Sequence, residues 1–314
     1  MSLTLPVSAP VGLPLHGTFS GHETFTFRYG WLKKGIEGLL RRPELFQAED
    51  AMAELGVGKN MVRSIRHWCL ATTVLEEGDY LPNSRTRKLT PSALGNALFV
   101  TPGYDRFLED DGSLWLLHWH LATNASKATT WYWAFNLCRE QDFTRETLQT
   151  ALKRMLDERG GSNVADGSLK TDIACFLRTY APGKRGVTST LEETLDCPLT
   201  NLNLIADTGD DGRFRFVNGH KSSLPTAIFA FALLDFWEKN FAERETLSLR
   251  QIVYAEGSPG RVFRLDDDAV LRHLDKLDTL TQGKLRFSDT IQQRQVARLS
   301  AIEKEEILRA YYAV

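Results

Sequence analysis

The chain has 314 residues, a formal net charge of −2, 42% hydrophobic and 25% charged residues, which fits a soluble globular protein with room for two or three cores. Four scattered cysteines without a C-x-x-C pair argue against a disulfide scaffold and for reduced thiols. The longest apolar run, which lies within Ala227–Trp237, is too short to span a bilayer, and the first residues lack a signal-peptide pattern, so a cytoplasmic protein with no membrane partner is expected.

Charge is unevenly spread. From Arg28 to Lys88 there are 11 Lys/Arg against 8 Asp/Glu, a local +3 that leaves −5 for the remainder. Partners respond to such local fields more than to the net charge.

Residues 1–17 read as a flexible, Pro- and Gly-punctuated arm. A first unit is expected over 18–102. It opens with Phe19–Gly35, which gathers His22, Glu23, Arg28, Lys33, Lys34 and five aromatics. A short helix over Ile36–Arg42 is stopped by Pro43. Gln47–Leu55 and Lys59–Leu70 read as helices around the Gly56-Val57-Gly58 turn. In the second, Met61, Val62, Ile65, Trp68 and Cys69 share one face, with Lys59, Arg63, Arg66 and His67 on nearly the opposite one. Helix–turn–helix is followed by a basic hairpin carrying Arg85, Arg87 and Lys88, the order of a winged helix. Pro91–Phe99 is expected as a helix capped by Thr90, with Pro91 at its first position.

Residues 103–182 read as a helical middle domain with helices at Leu114–Ala122, Thr129–Leu137, Thr144–Gly160 and Ser168–Tyr180, rich in tryptophan. Residues 183–314 read as an α+β, winged-helix-like domain. Strands are expected at Leu202–Ala206 and Arg213–Val217, a buried helix over Leu224–Asn240, and a mixture of helices and short strands from Leu247 through Val262–Leu265 to Ser288. Glu303–Tyr312 closes the chain. The fold class is therefore mainly α, with winged-helix-like units at both ends.

His22-Glu23-Thr24-Phe25-Thr26 begins like the zinc-protease pattern, but Thr26 stands where the second histidine ligand must be, so the motif fails. His22 and Glu23 keep two readings: general base and partner in phosphodiester cleavage, or a hydrogen-bonded brace. No clustered carboxylates of a nuclease centre are evident; Asp207, Asp210 and Asp211 with Lys221 come nearest, and a polar hairpin turn explains them. No cofactor is evident, and a divalent metal such as Mg²⁺ is left open. There is no phosphate loop for ATP. Arg28, Lys33 and Lys34 suit a phosphate clamp. Lys59, Asn60, Arg63, Arg66, His67, Arg85, Arg87 and Lys88 suit a double-stranded DNA footprint in which the helix enters the major groove and the wing contacts the backbone.

Phe19-Ser20-Gly21-His22-Glu23-Thr24-Phe25, Arg28-Tyr29-Gly30-Trp31-Leu32-Lys33-Lys34-Gly35, Leu55 through Arg66, and Gly257-Ser258-Pro259-Gly260-Arg261-Val262-Phe263 resemble a bacterial domain-of-unknown-function family encoded beside DNA phosphorothioation genes. Its best-understood members are SspB-type components. The resemblance spans nearly the whole chain. It implies DNA binding, nicking of one strand so that sulfur can enter the backbone, and sulfur-transfer and ATP-using partner proteins; it transfers no catalytic residues. The alternatives are a non-catalytic winged-helix DNA-binding adaptor or transcriptional regulator, and a scaffold that uses the tryptophan-rich middle.

Overall fold

The computed structural model describes residues 12–13, 17–80, 86–160, 164–181, 197–209, 212–290 and 293–313. The chain is mainly α with three small antiparallel sheets. It divides into two compact units, Leu15–Val217 and a second built on Asn218–Val314. The stretches 18–102 and 103–182, expected as separate domains, pack within the first unit.

In the first unit, α1 (Trp31–Arg41) buries Trp31, Leu32, Ile36 and Leu39, an i, i+1, i+5, i+8 stripe. It begins five residues earlier than the sequence suggests. Gly35 lies inside it because a Cβ there would come within 2.7 Å of Cys69 Sγ; close approach of two helices outweighs glycine's poor helix propensity. After a 3-10 turn at Leu45–Gln47 comes α2 (Ala51–Leu55), shorter than expected and closed by Gly56 at φ +62°. Next, α3 (Lys59–Ala71) buries Val62, Ile65, Trp68 and Cys69, the predicted apolar face. Strands β1 (Leu75–Tyr80) and β2 (Arg87–Pro91) pair antiparallel, Leu75 opposite Pro91. Helix α4 (Ala93–Phe99) is capped by Ser92, whose hydroxyl accepts from Gly95 N–H at 3.0 Å. This corrects the expected Thr90 cap: Pro91 ends the strand, and the capping hydroxyl sits two residues further on.

Helices α5 (Asp111–Thr123) and α6 (Thr129–Asn136) are buried on nearly all sides. Trp115, Trp119, Trp131 and Trp133 are each at most 2% exposed, so these tryptophans are core and not the docking surface of a scaffold. Strand β3 (Asp142–Phe143) precedes α7 (Arg145–Glu158), which starts in a Thr144/Thr147 capping box, and α8 (Asp166–Tyr180) follows. After a 3-10 turn at Pro198–Leu202, β4 (Ile205–Asp207) and β5 (Phe214–Phe216) complete a sheet of order β3-β5-β4.

The second unit is built on α9 (Thr226–Phe241), apolar all round and buried through Trp237. Strand β6 (Thr246–Ser248), α10 (Leu249–Tyr254), α11 (Pro259–Val262), α12 (Asp267–Leu274), α13 (Leu277–Leu280), β7 (Leu285–Asp289) and β8 (Arg294–Arg298) follow, the sheet running β6-β8-β7. Val262–Leu265 is not a strand: Ser258 caps α11, and Gly260 lets it approach α10, since a Cβ there would stand 2.4 Å from Val253 O. The final helix, α14 (Lys304–Tyr312), packs on α9, with Lys304 Nζ 3.0 Å from the buried Asp235. No described helix is long and apolar enough to cross a membrane. The four cysteines are buried and none is in a disulfide.

Candidate nucleic-acid interface

Helix α3 begins without a side-chain cap at Gly58. Its first i→i−4 bond runs from Val62 N–H to Gly58 O, 3.0 Å, so the amides of Lys59, Asn60 and Met61 have no partner within the helix. They open on a cleft of about 730 Å³ lined by Phe25, Arg28, Trp31, Lys34, Lys59 and Asn60 among others. Helix polarity and three cations thus converge on one concavity, an arrangement suited to an oxyanion. The Arg28 guanidinium stands 5.3 Å over the Trp31 ring. Lys34 donates to Leu55 O at 2.9 Å, tying the end of α2 to α1 and leaving two N–H groups of its ammonium for a ligand.

A second cleft, about 350 Å³, shares Phe25 and Asn60 with the first and adds Ser20, Glu23, Thr24, Ser168 and Thr171. A third, about 300 Å³, shares Glu23 and is walled by Thr18, Gly21, Arg63, Arg66, His67, Leu70 and Lys127. The three form a row along α3.

The wall over α3 is residues 18–25, which carry Ser20, Glu23 and Thr24 at φ +58°, +49° and +70°. Such conformations cost roughly 1–3 kcal/mol each and persist only when their surroundings enforce them. Here the enforcing group is Asp172 on α8, 1% exposed. Its Oδ1 accepts from Ser20 N–H at 2.6 Å and from His22 Nε2 at 2.9 Å, and its Oδ2 accepts from the Thr130 hydroxyl. Thr24 N–H donates to His22 Nδ1 at 3.1 Å, which assigns the proton of the neutral ring to Nε2. Arg178 donates to Thr24 O, and Trp68 Nε1 to Phe25 O at 2.9 Å.

The sequence model of the family described as "Protein of unknown function (DUF4007)" matches residues 19–312. The chain belongs to the DUF4007 family. Of solved structures, one described as "Magnesium ion-bound SspB crystal structure" is similar with a TM-score of 0.87 and 32% identity, covering 95% of this chain and 88% of that one. Another, "SspB crystal structure", has a TM-score of 0.86 and 33% identity with the same coverage. Curated proteins yield no match.

Within this DUF4007 chain, the predicted residues separate. Arg28, Lys34, Lys59 and Asn60 meet at the first cleft, while Arg63 and Arg66 meet at the third. Lys33 leaves the expected clamp: it pairs with Glu37 at 3.1 Å and lies 5.0 Å over Phe107, because successive helical residues point about 100° apart. His67 is not on an open polar face, since Gly21 lies against its ring and its Nε2 is buried without a partner. His22 is 1% exposed with both ring nitrogens engaged, the geometry of a brace. Glu23 faces the second and third clefts, held by Arg63 Nη1 at 3.4 Å. Arg87 and Lys88 are exposed on β2, the former 4.6 Å over the Tyr80 ring. Arg85, Asp210 and Asp211 lie outside the described residues. Asp172 and Lys127 were missed. The first had a signal, since a lone carboxylate falls among Leu169, Ile173 and Phe176 on the buried face of α8; the second had none.

Burial pushes the His67 imidazole down to about 3. The unfolded chain therefore binds a proton below the ordinary value of about 6.5 that the folded chain refuses. Stability from this group is complete above that pH and is lost as pH falls toward the folded value. The urea midpoint should drop between about pH 7.5 and about pH 5, and His67→Gln should lessen the drop.

Proposed function

We propose that the protein is the duplex-DNA-binding component of a bacterial DNA phosphorothioate modification system, with α2, α3 and the β1–β2 hairpin acting as a winged helix. The observation that carries this is the convergence of the uncapped α3 amino terminus with Arg28, Lys34, Lys59 and Asn60 on one cleft. Arg63 and Arg66 extend the cationic line along the helix, and Arg87 and Lys88 supply the wing. Backbone phosphates are the ligand such a surface fits, with the hairpin against phosphate or the minor groove. The similarity to SspB supports membership of the modification system, with sulfur-transfer and ATP-using proteins as partners.

Strand nicking belongs to the same reading. Of the two catalytic candidates, Glu23 faces open clefts and His22 does not. A magnesium-bound relative raises the question of a metal here. The described residues bring no three His, Cys, Asp or Glu side chains together, and the cleft-facing carboxylate of Glu23 is held by an arginine. A magnesium ion at these clefts would draw on Glu23, freed from Arg63, with water and backbone phosphate as its other ligands. The burial of His22 favours a second reading, a non-catalytic adaptor or transcriptional regulator on DNA. Supercoiled plasmid incubated with and without Mg²⁺ separates them. Nicked circles that disappear in Glu23→Ala support the nicking component; intact plasmid, with salt-sensitive duplex binding retained, supports the adaptor. Absence of duplex binding at low salt overturns both.

A further inference from the structure

The third cleft is assembled from elements distant in sequence. Arg63 and Arg66 come from α3, and Lys127 from the loop between α5 and α6. That loop is fastened beside α3: Asn124 Nδ2 donates to Leu70 O at 3.1 Å and to Ala71 O at 3.0 Å, while its Oδ1 accepts from Lys127 N–H at 3.2 Å. The carboxamide that finishes α3 therefore also places the backbone of Lys127. Thr18 is fixed to the same loop through Ser126 O at 2.7 Å.

Three cations are held there at close quarters by two carboxylates. Glu77 on β1 accepts from Arg66 at 3.2 Å through one oxygen and from Lys127 at 2.9 Å through the other, and Glu23 holds Arg63 at 3.4 Å. Burial alone would raise the Glu77 carboxyl, but hydrogen bonds from Lys127 and Arg66 carry it below its ordinary value. A carboxylate bridging a guanidinium and an ammonium has the shape and charge of two oxygens of a phosphodiester. Arg66, Lys127 and Glu77 are each between 23% and 35% exposed, so an incoming anion can reach the two cations.

We propose that Arg63, Arg66 and Lys127 seat one phosphodiester of the DNA backbone, and that Glu77 occupies the seat in its absence. This rests on the DNA-binding reading above and adds to it a residue outside the helix–turn–helix and an internal competitor for the ligand. Glu77 holds the two cations in position and lowers net affinity, since the phosphate must displace it.

Two variants with opposite expected signs test this on the full chain. Lys127→Ala should weaken duplex binding by roughly 5- to 10-fold at low salt and reduce the slope of log affinity against log salt by about one. Glu77→Gln should tighten binding by roughly 5-fold, because both cations lose their competitor. A misfolded variant could not produce that gain. Unchanged affinity and slope in Lys127→Ala, or weaker binding in Glu77→Gln, overturns the seat. The DNA-binding reading survives either result if Arg28→Ala/Lys59→Ala still loses affinity, and wild-type protein that binds no duplex removes both. Inorganic phosphate identifies the source of the anion. If it raises the thermal midpoint of wild type but not of Lys127→Ala, while duplex affinity is equal in the two, the cleft serves free phosphate and the assignment to backbone is overturned.

Discussion

Asp172→Ala should lower the thermal midpoint of the chain by roughly 10 °C. The substitution strips the acceptor from Ser20 N–H, His22 Nε2–H and the Thr130 hydroxyl at once, leaving three donors in a site from which water is excluded. Removing one member of a buried, hydrogen-bonded pair costs about 3–5 kcal/mol, and in a unit of this size each kcal/mol moves the midpoint by about 2–4 °C. Asp172→Asn keeps an acceptor oxygen and should cost less. A midpoint within about a degree of wild type in Asp172→Ala would mean that residues 18–25 hold their left-handed turns by other contacts. Scanning calorimetry reads the difference directly.

Arg28→Ala/Lys59→Ala should weaken duplex binding by roughly two orders of magnitude at low salt. Two charge-assisted contacts at about 1.5 kcal/mol each give about 3 kcal/mol, or about 100-fold. The salt slope should fall by about two, since each lost phosphate contact releases one fewer counterion. Both side chains line the cleft at the start of α3, and Lys59 has no ion pair among the described residues. The fold should be indifferent to the change, because Lys59 is exposed and Arg28 only half-buried. Fluorescence anisotropy across a salt series checks affinity and slope together, and an unaltered slope would remove the first cleft from the interface.

What the sequence discloses here is what depends on local periodicity. The apolar face of α3 and the glycine turn before it follow from spacing alone; β5 falls where it is expected, whereas Leu202 closes a 3-10 turn and β4 begins only at Ile205. The apolar all-round character of α9 likewise announces a core helix. What escapes is whatever a distant segment decides. His67 falls near the basic face by angle, yet residues 18–25 fold over it, and nothing in the periodicity of α3 reports that cover. Lys33 and Lys34 are neighbours in the chain, but one is drawn to Glu37 and the other to the carbonyl of Leu55. The start of α1 was hidden by Gly35, whose cost in helix propensity is offset by contact with Cys69, itself 34 residues further on. The site was legible as a set of residue types. Its division into clefts, and the part of Lys127 in it, were not.

The link between His22 and Asp172 joins positions 150 residues apart. Contacts of that separation close a long loop and form late, whereas the short-range packing of α2 on α3 can form early. During synthesis α3 therefore exists before its second cleft does: one wall of that cleft is Gly167, Ser168 and Thr171 at the start of α8, and the other is the segment that Asp172 fastens down. A nascent chain interrupted before α8 would carry the cations of α3 on an unwalled helix. The second cleft is thus among the last features this unit acquires, because both of its walls await α8.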